Sequence, residues 1–188
     1  MEAKPHHWLA TSFASVIVAN LLIGQTDVRF GKFAFMAEFL FTSSLAIDLP
    51  QAEVFDFFSN AENLERITPS DLGFHIITPL PIDIKKGTLI EYKLSLYSLP
   101  IKWRTEITHW DPPYEFVDTQ LAGPYKQWIH RHRFTEHEPG KTYMEDEVRY
   151  RLPFEPLGDL ARVFIERELK KIFSYRQKAV AEFLVSKG

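Results

Sequence analysis

Residues 125–152 read YKQWIHRHRFTEHEPGKTYMEDEVRYRL, a pattern that is typical of paired β-strands. Its first part, as far as Glu136, carries large side chains at every second position. Its second part, Thr142–Leu152, repeats that alternation. Between them, Glu138-Pro139-Gly140 predicts a turn, because proline removes a backbone donor and glycine permits positive φ. Period-two alternation on both sides of a turn predicts an antiparallel hairpin with one inward and one outward face.

The residues before this hairpin predict the rest of a long antiparallel sheet. The turn signals between the runs are Leu99-Pro100, Asp111-Pro112-Pro113 and Gly123-Pro124. Two short amphipathic helices are predicted after the first strand, at 52–59 and, capped by Asn60, at 61–68. The predicted strands, which all precede residue 125, are Glu38–Ile47, Leu72–Thr78, Thr88–Leu99, Ile101–Trp110 and Tyr114–Ala122.

In the C-terminal region the spacing of apolar residues changes from that of a strand to that of a helix. No proline or glycine occurs between Gly158 and Lys187, which predicts a helix of about 28 residues. We expect this long helix to pack its apolar stripe against the sheet. The side chains assigned to the stripe are Leu160, Phe164, Ile172, Phe173, Val180 and Phe183.

Composition narrows the function classes. The chain has 188 residues and no cysteine, which excludes thiol catalysis, thiolate zinc sites and iron–sulfur clusters. A net charge of −3 offers no basic field for nucleic acid, so nucleic acid is not an expected partner. With 16 Phe, 7 Tyr and 4 Trp, the composition favours a bulky core or an apolar cavity.

Residues 1–35 differ from the remainder of the chain. The run from Trp8 to Gly24 carries no charge, but it only just reaches the length of a membrane-spanning helix. Three interpretations stay open: a dispensable extension with a mis-assigned start, a membrane anchor or signal segment, and a helix integral to the fold. Met36 precedes a predicted strand, so we expect an N-terminal extension at 1–35 and one domain at 36–188.

Four segments carry a resemblance to a known superfamily. They are VFDFFSNAENLERITP (54–69), GTLIEYKLSLYSLPIKWRTEITHWDPP (87–113), FVDTQLAGPYKQWIHRHRF (116–134) and KKIFSYR (170–176). The chain resembles the START and polyketide-cyclase (SRPBCC) superfamily over about residues 38–185, in a bacterial cyclase/dehydrase-like, ligand-binding branch. This resemblance implies an α+β helix-grip fold, in which a curved antiparallel sheet wraps the long C-terminal helix around a ligand cavity. It does not specify a function, because function depends on the site rather than on the fold.

Strand alternation predicts which side chains face inward. Polar groups converge there: Asp118, Gln120, His130, His132 and Asp146. The predicted ligand-contacting residues are Tyr92, Trp103, Phe116, Gln120, Trp128, His130, His132, Met144 and Tyr150. Candidates for acid–base catalysis are His130, His132, Asp118 and Asp146. Three interpretations remain open: the polar groups satisfy each other in the core, they orient a ligand, or they transfer protons.

The spacing of two histidines and a glutamate resembles that of a known metal site. His130, His132 and Glu136 follow the H-x-H-x3-E pattern of cupin metal centres. Pro124 stands where that motif expects glycine, and a long terminal helix does not belong to a cupin. We therefore expect no metal and no cofactor.

The sequence favours binding of a small apolar or aromatic molecule, lipid- or polyketide-like, between sheet and terminal helix, without catalysis. The alternative is a cyclase or dehydratase that uses a His/Asp acid–base pair in the same cavity. A third class, a membrane-tethered lipid carrier, requires residues 8–24 to insert. A cytoplasmic location is expected, or a membrane-associated one in that third case. The ligand and the oligomeric state are not predicted.

Overall fold

The structure, a computed structural model, describes residues 38–96, 99–154 and 161–185. The predicted extension at 1–35 and the boundary at Met36 lie outside these residues. Among the described helices, none has both the length and the apolar character needed to cross a membrane.

The central element is a curved, unclosed antiparallel sheet of seven strands in the order β1-β7-β6-β5-β4-β3-β2. Strands β2 to β7 are neighbours in the sheet in the order in which they occur along the chain. Strand β1 pairs with β7 and forms one edge of the sheet. The strands are β1 Phe39–Ile47, β2 His75–Ile76, β3 Leu89–Leu96, β4 Leu99–Asp111, β5 Glu115–Ala122, β6 Gln127–Glu138 and β7 Lys141–Arg151.

Alternation along the hairpin of β6 and β7 is strict. Every second residue from Trp128 to Phe134 is buried, as is every second residue from Thr142 to Tyr150. Because side chains on a strand alternate between faces, the register of these two strands places one continuous row of large side chains on the inner face. Phe134 lies opposite Met144 in this row.

Two short helices follow β1, and a 3-10 turn follows them. Helix α1 spans Gln51–Phe58, helix α2 spans Ala61–Arg66 and the 3-10 turn spans Ser70–Leu72. The Asn60 side chain caps α2 by accepting the backbone N–H of Glu62 at 2.9 Å. Helix α1 buries Phe55, whose ring packs edge-on against the rings of Trp110, Phe116 and Phe134. These contacts close one end of the inner face.

Helix α3, Arg162–Val185, has 24 residues and lies against the inner face of the sheet. Leu169, Phe173 and Val180 are buried. The Gln177 amide donates to the Ser44 carbonyl at 2.9 Å, which ties α3 to β1. The assignment of Phe164 to the apolar stripe is wrong, since this side chain is 46% exposed. Leu160, also assigned to the stripe, lies outside the described residues.

Two predicted boundaries also change. The strand expected at Leu72–Thr78 shrinks to two residues, because Gly73 takes φ +51 after the 3-10 turn. The turn expected at Leu99-Pro100 is instead the start of β4, where Leu99 pairs with Leu96 of β3. Pro100 is compatible with this position because it lies at the beginning of the strand. The start expected for the long helix, near Gly158, lies outside the described residues, among which α3 begins at Arg162.

Candidate functional site

A cavity of about 210 Å³ lies between the inner face of the sheet and α3. Strands β3 to β6 form its floor, α3 forms its roof, and α2 with the following segment closes one side. Most of the lining side chains are apolar. The aromatic ones are Phe58, Phe74, Tyr92, Trp103, Phe116, Tyr125, Trp128 and Phe173.

Cross-strand pairing arranges the aromatic wall. Tyr92 of β3 is the register partner of Trp103 of β4, and their rings stack with centroids 5.8 Å apart and an interplanar angle of 16°. The Trp103 ring also meets the Trp128 ring edge-on at 5.4 Å. Such stacked and edge-on pairs stabilise beyond the area they bury, so this wall is a preorganised aromatic surface.

Four polar side chains form a closed ring on the inner face. Asp118 pairs in register with His130, and His132 with Asp146. His130 Nε2 donates to Asp146 Oδ1 at 2.9 Å, and His132 Nε2 donates to Asp118 Oδ2 at 3.3 Å. Two further contacts complete the ring: His132 Nδ1 to Asp146 Oδ1 at 2.8 Å, and His130 Nδ1 to Asp118 Oδ2 at 3.6 Å. We call these residues the His/Asp ring.

The two sides of the His/Asp ring differ. Asp146 lies behind the cavity wall with contacts of 2.8 and 2.9 Å, whereas Asp118 lines the cavity with contacts of 3.3 and 3.6 Å. The Thr105 hydroxyl lies 3.2 Å from Asp118 Oδ1 and 3.0 Å from the Thr119 carbonyl. Asp146 therefore holds both imidazoles closely, while Asp118 is the looser partner that faces the cavity.

Burial and mutual contacts set the charges of the His/Asp ring. Burial would raise the pKa of both carboxyls, but the hydrogen bonds and positive charge of the imidazoles lower the pKa of Asp118 and, more strongly, of Asp146. Burial and the neighbouring His132 lower the pKa of His130. Burial also acts to lower the pKa of His132, but the hydrogen bonds to the carboxylates outweigh it and raise that pKa. The pKa values of the two imidazoles are therefore shifted in opposite directions, and His132 is the more basic of the two.

The cavity wall also carries buried donors without partners. Among the described residues, the Trp103 indole Nε1 and the Arg176 Nε have no hydrogen-bond partner, and both residues line the cavity. The Arg176 guanidinium carbon lies 4.9 Å from the centre of the Phe173 ring. Its charge also acts on the Tyr92 hydroxyl, whose pKa burial raises well above its ordinary value. A buried unpaired donor costs about 1–3 kcal/mol, so these groups favour a bound acceptor.

Most of the residues predicted to contact a ligand lie on the cavity wall. They are Tyr92, Trp103, Phe116, Trp128, His130 and His132. The other three do not line the cavity. Gln120 turns its amide back to donate to the Tyr125 carbonyl at 2.6 Å, beside a register shift between β4 and β5. Met144 and Tyr150 are fully buried in the core.

Sequence reasoning did not single out Arg176 or Glu168, which also line the cavity. A helical signal for Arg176 was present: it follows Leu169 by seven positions and Phe173 by three, which is the spacing of one helix face. Glu136, by contrast, accepts the Gly140 backbone N–H at 2.7 Å and is exposed. The H-x-H-x3-E triple is therefore not assembled at one site.

Comparison with solved structures places this architecture among known folds. A START superfamily protein from Mycobacterium smegmatis matches with a TM-score of 0.62 and 7% identity, over 79% of this chain and 99% of that chain. The Zhui aromatase/cyclase from Streptomyces sp. R1128 matches with a TM-score of 0.62 and 13% identity, over 79% of this chain and 94% of that one. At these identities the likeness shows the fold alone, and it confirms the predicted helix-grip.

A third structure is more similar in sequence. The nucleoside-diphosphate sugar epimerase from Corynebacterium glutamicum is 25% identical with a TM-score of 0.54, over 76% of this chain but only 28% of that chain. A search of curated proteins gave no significant match. The family described as "Polyketide cyclase / dehydrase and lipid transport" matches residues 47–173, about two thirds of the sequence. The chain therefore belongs to this family, within the START/SRPBCC superfamily that its sequence resembles.

Proposed function

We propose that the protein binds a small aromatic molecule of one or two rings, which carries a hydrogen-bond acceptor, in the cavity between the sheet and α3. The observation that carries this proposal is the aromatic cavity of about 210 Å³. An apolar cavity of about 150 Å³ suffices to bind benzene, and drug-sized ligands occupy about 300 Å³ or more. The volume therefore supports a compact ligand rather than an extended lipid.

Two buried hydrogen-bond donors on the cavity wall support the proposal that the ligand carries an acceptor. Trp103 Nε1 and Arg176 Nε have no partner in the part of the chain that the structure describes, and a carboxylate or phenolate oxygen can accept a hydrogen bond from such groups. Arg176 also supplies positive charge, which favours an anion. The apolar walls exclude water and strengthen that interaction, because Coulomb attraction grows in a low-dielectric site.

A titration with a matched pair of probes tests this proposal. 2-Naphthoate and 2-methylnaphthalene share the ring system, but only the first carries an acceptor. We expect 2-naphthoate to quench tryptophan fluorescence saturably, with an affinity at least about tenfold higher, equivalent to one charged hydrogen bond of about 1.4 kcal/mol. Arg176→Met should remove that preference while binding of 2-methylnaphthalene persists.

A cavity-blocking variant tests the location. Ala61 lines the cavity and is buried, so Ala61→Phe should fill space and abolish binding of both probes. Ala181 lies on the exposed face of α3, and Ala181→Phe is the matched control that should leave binding unchanged. Undiminished binding to folded Ala61→Phe protein would contradict the proposed location.

A second candidate function is proton-transfer catalysis, of the kind that a cyclase or dehydratase requires. The specific observation in its favour is that His130 and His132 face the cavity with pKa values shifted in opposite directions, an arrangement that suits an acid and a base. His130→Gln discriminates the two functions. It should lower turnover about 10²–10⁴-fold with binding retained if His130 is a general base. A binding role predicts a loss of affinity and no turnover in the wild-type protein.

A further inference from the structure

The Asp118 side of the His/Asp ring collects three potential metal ligands. One donor atom from each of Asp118, His130 and His132 lies within 4.8 Å of the others. All three residues line the cavity, and both histidines are 6% exposed. Within the described chain this is the group that combines two imidazoles with a carboxylate at such short range.

The distances on this side are close to those between two ligands of one metal ion. The contact of Asp118 Oδ2 with His130 Nδ1 is 3.6 Å, which is too long for a hydrogen bond, and that with His132 Nε2 is 3.3 Å. Ligands at about 2.0–2.1 Å around a tetrahedral zinc ion lie about 3.3–3.4 Å from one another. Asp118 Oδ2 therefore already lies at nearly the required separation from both imidazole donors, and all three donor atoms lie within 4.8 Å of one another.

Asp146 occupies the position of a supporting residue. Its Oδ1 lies 2.9 Å from His130 Nε2 and 2.8 Å from His132 Nδ1, the ring nitrogens that point away from Asp118. Metal-bound histidines usually donate their second ring N–H to a carboxylate, which fixes the orientation of the ring. His132 Nδ1 is buried and has no aligned hydrogen bond, despite its closeness to Asp146. A small rotation of that ring would complete the arrangement.

We propose that Asp118, His130 and His132 bind a divalent transition-metal ion, with Asp146 orienting both imidazoles. Two imidazoles and one carboxylate form a donor set used by zinc and by non-haem iron(II). The remaining coordination position faces the aromatic cavity. This site differs from the H-x-H-x3-E pattern, because Asp118 from the neighbouring strand replaces Glu136. The proposal is independent of the proposed ligand.

The test uses Zn²⁺ alone and the full chain, purified without a metal-affinity tag and stripped with a chelator. Calorimetric titration should give one Zn²⁺ per chain. Asp118→Asn and His132→Gln should each weaken binding by more than about 100-fold. Asp146→Asn should weaken it about 10–100-fold, as outer-shell partners do.

Two controls separate this site from other histidines. His109 is exposed and pairs with the half-buried Glu115 at 3.2 Å, so His109→Gln should leave Zn²⁺ binding unchanged. His6 and His7 are adjacent in the sequence, and the double change of both to Gln should also have no effect. Loss of the site in either control, or one-to-one binding that survives in Asp118→Asn, would overturn the proposal.

A measurement on the wild-type protein removes the dependence on variants that fail to fold. Co²⁺ in a four- or five-coordinate nitrogen and oxygen site absorbs visible light much more strongly than the aqueous ion. We expect such a band to grow to one equivalent and to be displaced by Zn²⁺. A Co²⁺ spectrum no stronger than that of the aqueous ion, or no saturable Zn²⁺ binding, would refute the metal site.

Discussion

Asp146→Asn should destabilise the protein considerably more than Asp118→Asn, although both changes remove one carboxylate from the same His/Asp ring. The Asp146 side chain is 7% exposed and holds both imidazoles at 2.8 and 2.9 Å. The Asp118 side chain is 16% exposed, lines the cavity and has contacts of 3.3 and 3.6 Å. Asparagine keeps the size of the side chain, so the comparison isolates charge and hydrogen bonding.

The magnitudes follow from these contacts. Removing one partner of a buried charge pair costs about 3–5 kcal/mol, and because asparagine retains one acceptor oxygen we expect about 3 kcal/mol for Asp146→Asn. At Asp118 the loss is that of a long hydrogen bond at the cavity wall, 3.3 Å from His132 Nε2, which costs about 1 kcal/mol. A difference of about 2 kcal/mol corresponds to about 4–8 °C in Tm for a chain of this size.

Urea unfolding in the presence of a chelator measures this difference, because the chelator removes any contribution from bound metal. The midpoint should fall further for Asp146→Asn, with the slope m unchanged in both variants. Equal destabilisation, or a larger effect of Asp118→Asn, would refute the conclusion that Asp146 is the structural carboxylate and Asp118 the cavity-facing one.

The packing of α3, the charge of Asp146 and the cap of α2 can each be tested by one substitution. Phe173→Ala should lower the free energy of unfolding by about 3–5 kcal/mol because a buried ring is lost. Phe164→Ala on the same helix should change the free energy of unfolding by less than about 0.5 kcal/mol. Denaturant unfolding of both variants checks these values. The lowered pKa of Asp146 contributes stability that is present above its unfolded-state pKa near 4 and is lost as the pH falls. The free energy of unfolding of the metal-free protein should therefore decrease from about pH 5 to pH 3, and Asp146→Asn should make this decrease smaller. Urea midpoints at the two pH values measure the effect. Asn60→Ala should cost about 1 kcal/mol through loss of the cap on Glu62, and an unchanged Tm would contradict the capping contact.

The His/Asp ring could be predicted from the sequence because side chains alternate strictly along β6 and β7. Residues two apart on a strand share a face, so His130 and His132 had to share one. Asp118 and Asp146 were placed on the inner face because they lie an even number of positions from bulky inward-facing residues on β5 and β7. Parity does not reveal which atoms meet, and the unequal contacts of the two carboxylates are set by strand register and ring rotation.

The predicted side-chain orientations were wrong at an irregular strand and on the C-terminal helix. Gln120 lies beside a register shift and next to a turn, so its amide bonds to the Tyr125 backbone and does not reach the cavity. On α3, nine residues separate Phe164 from Phe173, which is two and a half helical turns. The two rings therefore lie on opposite faces, and only Phe173 packs inward.

The most direct test of ligand binding in this cavity uses the indole N–H signals of ¹⁵N-tryptophan-labelled protein during a titration with 2-naphthoate. Trp103 and Trp128 line the cavity, whereas Trp110 packs in the core against Phe55 and does not line it. Assignment by Trp103→Phe identifies the reporter signal. We predict a large, saturable shift of the Trp103 Nε1–H resonance as it gains an acceptor, with the Trp110 signal unmoved. An unmoved Trp103 signal at saturating probe, or equal shifts of Trp103 and Trp110, would contradict ligand binding at this site.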